Sequence, residues 1–346
     1  MSADFHFGDY NTGPYVDGIN QRLADLVKAV ARMRDYALEN RIRHLIIAGD
    51  LFKTKTPSML HLSTLAEMFH SLWSAGINVL VETGNHDVYR VEGQVHALSI
   101  FKSVHMQGVT VFDTPTPIEI EGVKFLFFPF MGAPQDLKLV EAIAQHGTAD
   151  VLVMHGTVEG ALVNRHTDFE IHDTDEVKYE TVTPFPLVLA GHLHHCHGVG
   201  NVWYSGSIER LTFDDEGVEK CFLDVNVDPG GKNISVTKIP LQPRNMMTLR
   251  QDQLPQVIAG LINVEDAIVR VVDIEWDLDE VTKVLQKAGC YHIASMQRKV
   301  EGQQTVELPQ DSKIDPNHFI RLFAEKVGYK GDVMAAASKI VSMVNR

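Results

Sequence analysis

A chain of 346 residues, 45% hydrophobic and 22% charged, with 25 Gly and 14 Pro, has room for about two globular domains and excludes collagen, an extended coiled coil and wholesale disorder. Its 31 Lys and Arg against 45 Asp and Glu give a formal net charge of -14. That balance argues against broad, autonomous binding to nucleic acid unless bound cations or a basic partner offset it. From Ile19 to Leu38, the residues Ile19, Leu23, Leu26, Val27, Val30, Met33, Ala37 and Leu38 recur every three or four positions. Arg22, Asp25, Lys28, Arg32 and Asp35 lie off that stripe, so the spacing predicts an amphipathic helix. Arg43 to Ala48 is a short apolar run ending at Gly49-Asp50, as expected of a buried strand that delivers its last residue to a loop. A second helix follows Pro57-Ser58 through Leu62, Leu65, Met68, Phe69 and Leu72, and the strand-like Asn78 to Val81 leads into Gly84-Asn85-His86-Asp87.

Strand-like runs continue at Val109 to Phe112, Ile118 to Ile120 and Lys124 to Phe128, the first two separated by the turn-rich Asp113 to Pro117. Asp150 to Met154 then precedes His155-Gly156, and Pro186 to Ala190 precedes Gly191-His192. Val202 to Tyr204 and Cys221 to Val227 complete the set, with a turn at Asp228 to Asn233 and a linker at Pro240 to Arg244. Helices alternating with buried strands indicate an α/β protein built as a layered β-sandwich flanked by helices, with ligands at the carboxyl ends of the strands. A smaller C-terminal α+β domain follows, in which Ala267 to Ile274 and Ile293 to Val300 read as strands and Leu278 to Ala288 as a helix; Pro316 to Asn345 reads as terminal helix.

Cys196, Cys221 and Cys290 are odd in number and lack a CxxC, so they predict neither a disulfide framework nor a thiolate zinc site, and a reducing cytoplasm is the expected setting. The first residues have no basic or apolar leader, and stretches such as Val123 to Met131 fall well short of the ~20 apolar residues that span a bilayer. The expectation is a chain neither exported by an ordinary signal nor anchored to a membrane.

The polar residues at the strand ends are Asp4, His6, Asp50, Asn85, His86, His155, His192 and His194, all oxygen or imidazole donors, a set suited to Mn, Fe or Zn at a hydrolytic centre. Each fragment alone says little. The order D-x-H, G-D, G-N-H-D, H-G, G-H-x-H resembles the calcineurin-like metallophosphoesterase superfamily from Asp4 to about Val227. The resemblance implies that Asp4, His6 and His194 ligate one divalent metal, that Asn85, His155 and His192 ligate a second, and that Asp50 bridges them. It makes His86 the catalytic acid, and Asp87 is assigned to orient it. Two such ions, ~3.5–4 Å apart, acidify a water between them and clamp a phosphate.

Gly49-Asp50-Leu51-Phe52, His155-Gly156-Thr157-Val158 and Gly206 to Phe213 further resemble the SbcD-type DNA repair exonuclease subunit, including its phage recombination counterparts. That resemblance implies a metal-dependent DNA exonuclease or endonuclease, with two divalent ions, manganese foremost. It also implies the cytoplasm of a bacterium or a phage-infected cell, an SbcC-like ATPase partner, and self-association left open. The expected divisions are a nuclease domain at 1–240, a DNA-capping domain at 247–315 and a helical partner-binding segment at 316–346, where Asn317 to Val327 offers an apolar face.

Some residues depart from this pattern or lie beside it. Lys53 stands where these nucleases commonly carry His, and only Met1, Ser2 and Ala3 precede Asp4, an arrangement expected to leave the first ligands poorly held. Lys53, Lys55, Arg90 and Arg210 lie near the motif loops as candidate DNA-phosphate contacts. His195 and His197 read as solvated loop residues, His61, His70, His96 and His105 as helix residues, and Phe125, Phe127, Phe128 and Phe130 as sheet core. Two other readings remain open. The acidic charge suits a small-substrate phosphodiesterase or a phosphatase, and a non-catalytic scaffold would also keep the fold, though the intact donor set argues against it.

Overall fold

The computed structural model describes residues 1–89, 95–162 and 176–298. Chain order begins with a short hairpin, β1 (Tyr15–Val16) and β2 (Ile19–Asn20), followed by helix α1 (Arg22–Glu39). The apolar stripe beginning at Ile19 thus overran the helix start. Ile19 is paired in β2, and Asn20 Oδ1 accepts the Arg22 amide where the helix begins. Next come β3 (His44–Ala48), α2 (Met59–Ser74), β4 (Asn78–Glu82), α3 (Ser99–Ser103) and β5 (Val109–Phe112). Ser58 caps α2 through its hydroxyl, which satisfies one of the unpaired N–H groups of the first turn. The three strands form a parallel sheet in the order β3-β4-β5.

A second, six-stranded sheet contains β6 (Thr116–Ile120), β7 (Val123–Phe128), β8 (Val151–His155), β9 (Leu187–Gly191), β10 (His197–Val199) and β11 (Val202–Tyr204), in the order β10-β11-β9-β8-β7-β6. Helices α4 (Gln135–His146) and α5 (Tyr179–Val182) belong to its connections. The hairpin β12 (Cys221–Val227) and β13 (Ile234–Pro240) follows.

Alternation along each strand builds the layers. Ile47, Val79, Val81 and Val111 pack with α1 and α2, whereas their neighbours Ile46, Leu80 and Phe112 pack against Phe127, Val151, Val153 and Leu189 of the second sheet. On that sheet's far face Leu126, Phe128, Leu152 and Val188 meet Leu139 and Ala142 of α4. Strands covered on both faces must be apolar throughout, which is why they read as unbroken runs. This is the expected helix-flanked β-sandwich. Beyond it, β14 (Met246–Arg250), helix α6 (Leu254–Ile258), β15 (Ile268–Ile274), α7 (Leu278–Lys287) and β16 (His292–Arg298) form a parallel three-stranded sheet with a core of its own.

Several expectations are corrected. Cys196 and Cys221 are disulfide-bonded, brought together because the start of β12 returns beside the loop after β9; only Cys290 is free. The cysteine count therefore no longer favours a reducing compartment. Thr116 and Pro117 belong to β6 rather than to a turn, and His96 and His105 lie outside the helices. The first residues are held after all, since Ser2 bridges Ile47 and exchanges backbone hydrogen bonds with Ile46 and Ala48. Phe127, Phe128 and Phe130 are buried as expected. No helix among the described residues is long and apolar enough to cross a membrane. Residues 299–315 of the expected capping domain and all of 316–346 lie outside the described residues.

Candidate metal centre

Five segments converge at the carboxyl ends of the strands. Asp50 follows β3, Asn85 and His86 follow β4, His155 ends β8, and His192 and His194 follow β9. Asp4 and His6 run alongside, their amides bonded to the carbonyls of Gly49 and Asp50. Asp4, His6, Asp50 and His192 all have positive φ (55°, 49°, 54° and 98°), a conformation that costs a side-chain-bearing residue about 1–2 kcal/mol. Strain of this kind concentrates at functional sites. The motif glycines serve close packing: a Cβ on Gly84 would lie 2.1 Å from Asp50 Oδ1, and one on Gly49 2.3 Å from His155 Nδ1.

The predicted ligand residues meet. Asp4, His6 and His194 form one group of donors within mutual reach, and Asp50, His155 and His192 another. Asn85 joins the second, its Oδ1 lying 2.9 Å from both His155 Nε2 and His192 Nδ1. Asp50 sits at the hub. Its Oδ1 accepts the His86 amide, while its Oδ2 lies 3.4 Å from His155 Nε2, 3.7 Å from His6 Nε2 and 4.0 Å from His86 Nε2. His155 Nδ1 donates to the Ala48 carbonyl at 2.8 Å, so its Nε2 is the nitrogen turned towards the oxygens of Asn85 and Asp50. A ligating histidine usually has its other N–H anchored in this way. His6 Nε2 and His194 Nε2 face each other at 3.0 Å. Two imidazole nitrogens at this distance share either the N–H of one ring or a metal ion, and the oxygen and imidazole set around them fits a divalent ion.

Electrostatics separate the histidines. Burial depresses His6 and His194 well below the usual imidazole range, and burial with the charge of His155 takes His192 down to about 3. Burial would also lower His155, but the Asp50 carboxylate and its hydrogen bond bring it up to about 10. Against burial, His155 in turn holds the Asp50 carboxyl well below the carboxylate range.

His86 lies at the edge of the cluster. Its Nδ1 donates to the Lys53 carbonyl at 2.9 Å, which leaves Nε2 towards Asp50, and it could itself join His6 and Asp50 as a third donor group. Asp87 does not take the orienting role assigned to it. Buried, its oxygens accept the amides of Leu51, Phe52 and Gly84, so it braces the two ligand loops against each other, and burial followed by the Asp50 charge pushes its carboxyl up to about 6. The atom that orients His86 is the Lys53 backbone oxygen.

Lys53 Nζ donates to the Asp9 carbonyl at 2.6 Å and lies over the Tyr10 ring. Arg210, another candidate phosphate contact, has its guanidinium bonded through Nε to the Val218 carbonyl and through Nη1 to that of Arg244. Arg90 lies outside the described residues. His197 is also corrected: it is buried, accepts the Leu162 amide and stacks on Tyr204. Sequence reasoning missed the residues that hold the ligands by their backbones. Tyr10 Oη donates to the His6 carbonyl, Gln135 to that of His155 and Lys220 to that of His194.

No protein-family model matches the chain. It is similar to curated nuclease and repair proteins. It is 22% identical over 285 residues to the SbcD component of the SbcCD nuclease of Staphylococcus epidermidis, covering 75% of each protein. It is 24% identical over 227 residues to exonuclease subunit 1 of Enterobacteria phage T4, covering 64% of this chain and 62% of that one. It is 23% identical over 254 residues to the DNA double-strand break repair protein Mre11 of Methanopyrus kandleri, covering 65% of this chain and 54% of that one. The resemblance drawn from the motif order therefore holds along most of the sequence, while the chain spans less than two thirds of the length of the second and third relatives.

Proposed function

We propose that the chain is a metal-dependent DNA nuclease that hydrolyses phosphodiester bonds as the nuclease subunit of an SbcCD-like assembly with an ATPase partner. The observation that carries this reading is Asp50 Oδ2, a buried carboxylate oxygen within 4.0 Å of three imidazole nitrogens and at the junction of two donor groups. Asp4, His6 and His194 would hold one ion, Asn85, His155 and His192 the other, and Asp50 both. Two bound divalent ions, manganese on this reading, supply Lewis acidity towards the phosphate and acidify water. The chain's own residues do the rest. Asp4 fixes the ligand loop by accepting the His192 amide on both carboxylate oxygens, at 3.0 Å each. His86 is anchored by its Nδ1–H on the Lys53 carbonyl, and in its imidazolium form, with both ring nitrogens protonated, it would give the Nε2 proton to the departing oxygen.

The net charge of -14 favours a second reading, a phosphodiesterase of small substrates. One experiment separates the two: hydrolysis of single-stranded, duplex and hairpin DNA beside a generic phosphodiester ester, in Mn2+ and Mg2+, with and without a cognate ATPase. The nuclease reading expects DNA cleavage raised by the ATPase; ester hydrolysis alone would favour the rival. His86→Ala should keep its metal affinity yet lose about 10²–10⁴-fold in hydrolysis rate. Loss of metal in that variant would make His86 a ligand.

A further inference from the structure

Two consecutive residues where β12 begins hold the loop that carries His192 and His194. Lys220, 1% exposed, directs its ammonium to the His194 carbonyl (3.1 Å), Ser207 Oγ (2.8 Å) and Asp215 Oδ1 (2.6 Å). Cys221 is disulfide-bonded to Cys196, two residues beyond His194. A buried ammonium is costly unless its hydrogens all find acceptors, and here one of the three acceptors is the main chain of a ligand residue. The loop is packed tightly enough to be set by these ties, since a Cβ on Gly206 would lie 2.7 Å from the His194 carbonyl oxygen and 2.9 Å from the Cys196 nitrogen. The two halves of the centre are braced differently: the His192 amide rests on Asp4, whereas the His194 backbone rests on Lys220 and, through Cys196, on the disulfide.

We propose that Lys220 and Cys221 clamp the His194 side of the centre, and that thiol–disulfide exchange at Cys196–Cys221 sets how tightly that side holds its ion. The inference rests on the metal-centre reading above. The exchange uses two small monothiols. The first, as thiolate, attacks the sulfur of Cys196, the less buried of the pair, and the Cys221 thiolate leaves and takes a proton. The second attacks the external sulfur of the mixed disulfide and releases Cys196 as a thiol. The protein gains two electrons and two protons, and the monothiols leave as one disulfide. Lys220 keeps its hold on the His194 carbonyl in both states, so the loop is loosened rather than released.

The test uses the full chain in a Cys290→Ser background, prepared oxidised or reduced with a phosphine that is then removed under argon, with the thiol state read from the mass after alkylation. Calorimetric titration with Mn2+ should give two binding events in the oxidised protein. Reduction should weaken one of them about 10-fold and leave the other within about twofold, the scale on which groups behind a ligand act. Cys221→Ser should match the reduced protein under both conditions, and Lys220→Met should weaken the same event. Because reduction alters no residue, a Lys220 variant that fails to fold leaves the test intact. Equal affinities in the two states, both events weakened alike, or no Cys196–Cys221 bond in protein purified without reductant would overturn the clamp. Two unchanged events would leave the metal centre standing, whereas binding of no Mn2+ in either state would overturn the metal-centre reading and the clamp with it.

Discussion

Glu82 is the last residue of β4, fully buried, and neither of its carboxylate oxygens makes a hydrogen bond of good geometry. Burial raises its carboxyl well above the ordinary glutamate range, and the nearby His155 and the Phe128 backbone offset this only in part. A carboxyl whose folded pKa is raised contributes its stability below the unfolded value and loses it as pH rises through the folded one. Glu82→Gln removes that loss. The variant's melting temperature should therefore gain on the wild type steadily as pH rises above about 4.5, the unfolded glutamate range; a difference that is flat from acid to alkaline pH would show that Glu82 is ionised in the fold. At this scale, donors on motif loops were legible because Gly-turn spacing marks them. Tyr10, Gln135 and Lys220 were not, because a side chain that supports a ligand through its carbonyl leaves no spacing in the sequence.

The elements that carry the centre are short strands ending in tight turns, and their geometry depends on what the turns exclude. Gly84 approaches Asp50 so closely that an added methyl would meet Oδ1 at 2.1 Å and the Asp50 amide at 2.5 Å. Gly84→Ala should displace Asp50 from the hub and lower Mn2+ affinity about 10–100-fold, the range seen when groups behind metal ligands are disturbed. Calorimetric titration checks this, and unchanged affinity would mean that the loop can give way. The strands buried on both faces, β3, β4, β8 and β9, were legible to within one or two residues because apolar runs mark them directly, whereas the short β10 and β14 went unread. Helix starts were less legible: Ile19 fits the helical stripe but is held in a two-residue strand, a tertiary choice that periodicity does not record. The disulfide was missed for a related reason, since Cys196 and Cys221 are 25 residues apart and meet only once β12 returns beside the ligand loop.

Across the whole molecule, Arg244 is among the residues that tie the sandwich to the three-stranded sheet beyond it, beside Thr248 on Glu216 and Arg270 over the Phe213 ring. Arg244 donates to both carboxylate oxygens of the buried Asp25 (2.9 and 2.8 Å), pairs with Asp266 and lies 3.6 Å over the Tyr291 ring. Its amide reaches Glu209, which with Asp25 also receives Arg22. This network explains Glu209 and Arg210 of the Gly206 to Phe213 segment as structural residues. Arg244→Ala would leave two buried carboxylates sharing Arg22, and urea unfolding should show a loss on the order of 3 kcal/mol. A loss below about 0.5 kcal/mol would class Arg244 with ordinary surface positions. The sequence marked this residue only as the end of a linker, because the partners of a buried ion network are set by the packing of distant segments.

The central claim is that Asp50 joins two divalent ions held by Asp4, His6, Asn85, His155, His192 and His194. Electron paramagnetic resonance of the chain loaded with Mn2+ measures this directly, because ions ~3.5–4 Å apart that share a carboxylate are magnetically coupled. The account predicts two Mn2+ per chain with a coupled multiline spectrum that Asp50→Ala abolishes. A single ion per chain, or two that give only the six-line signal of isolated Mn2+, would contradict it.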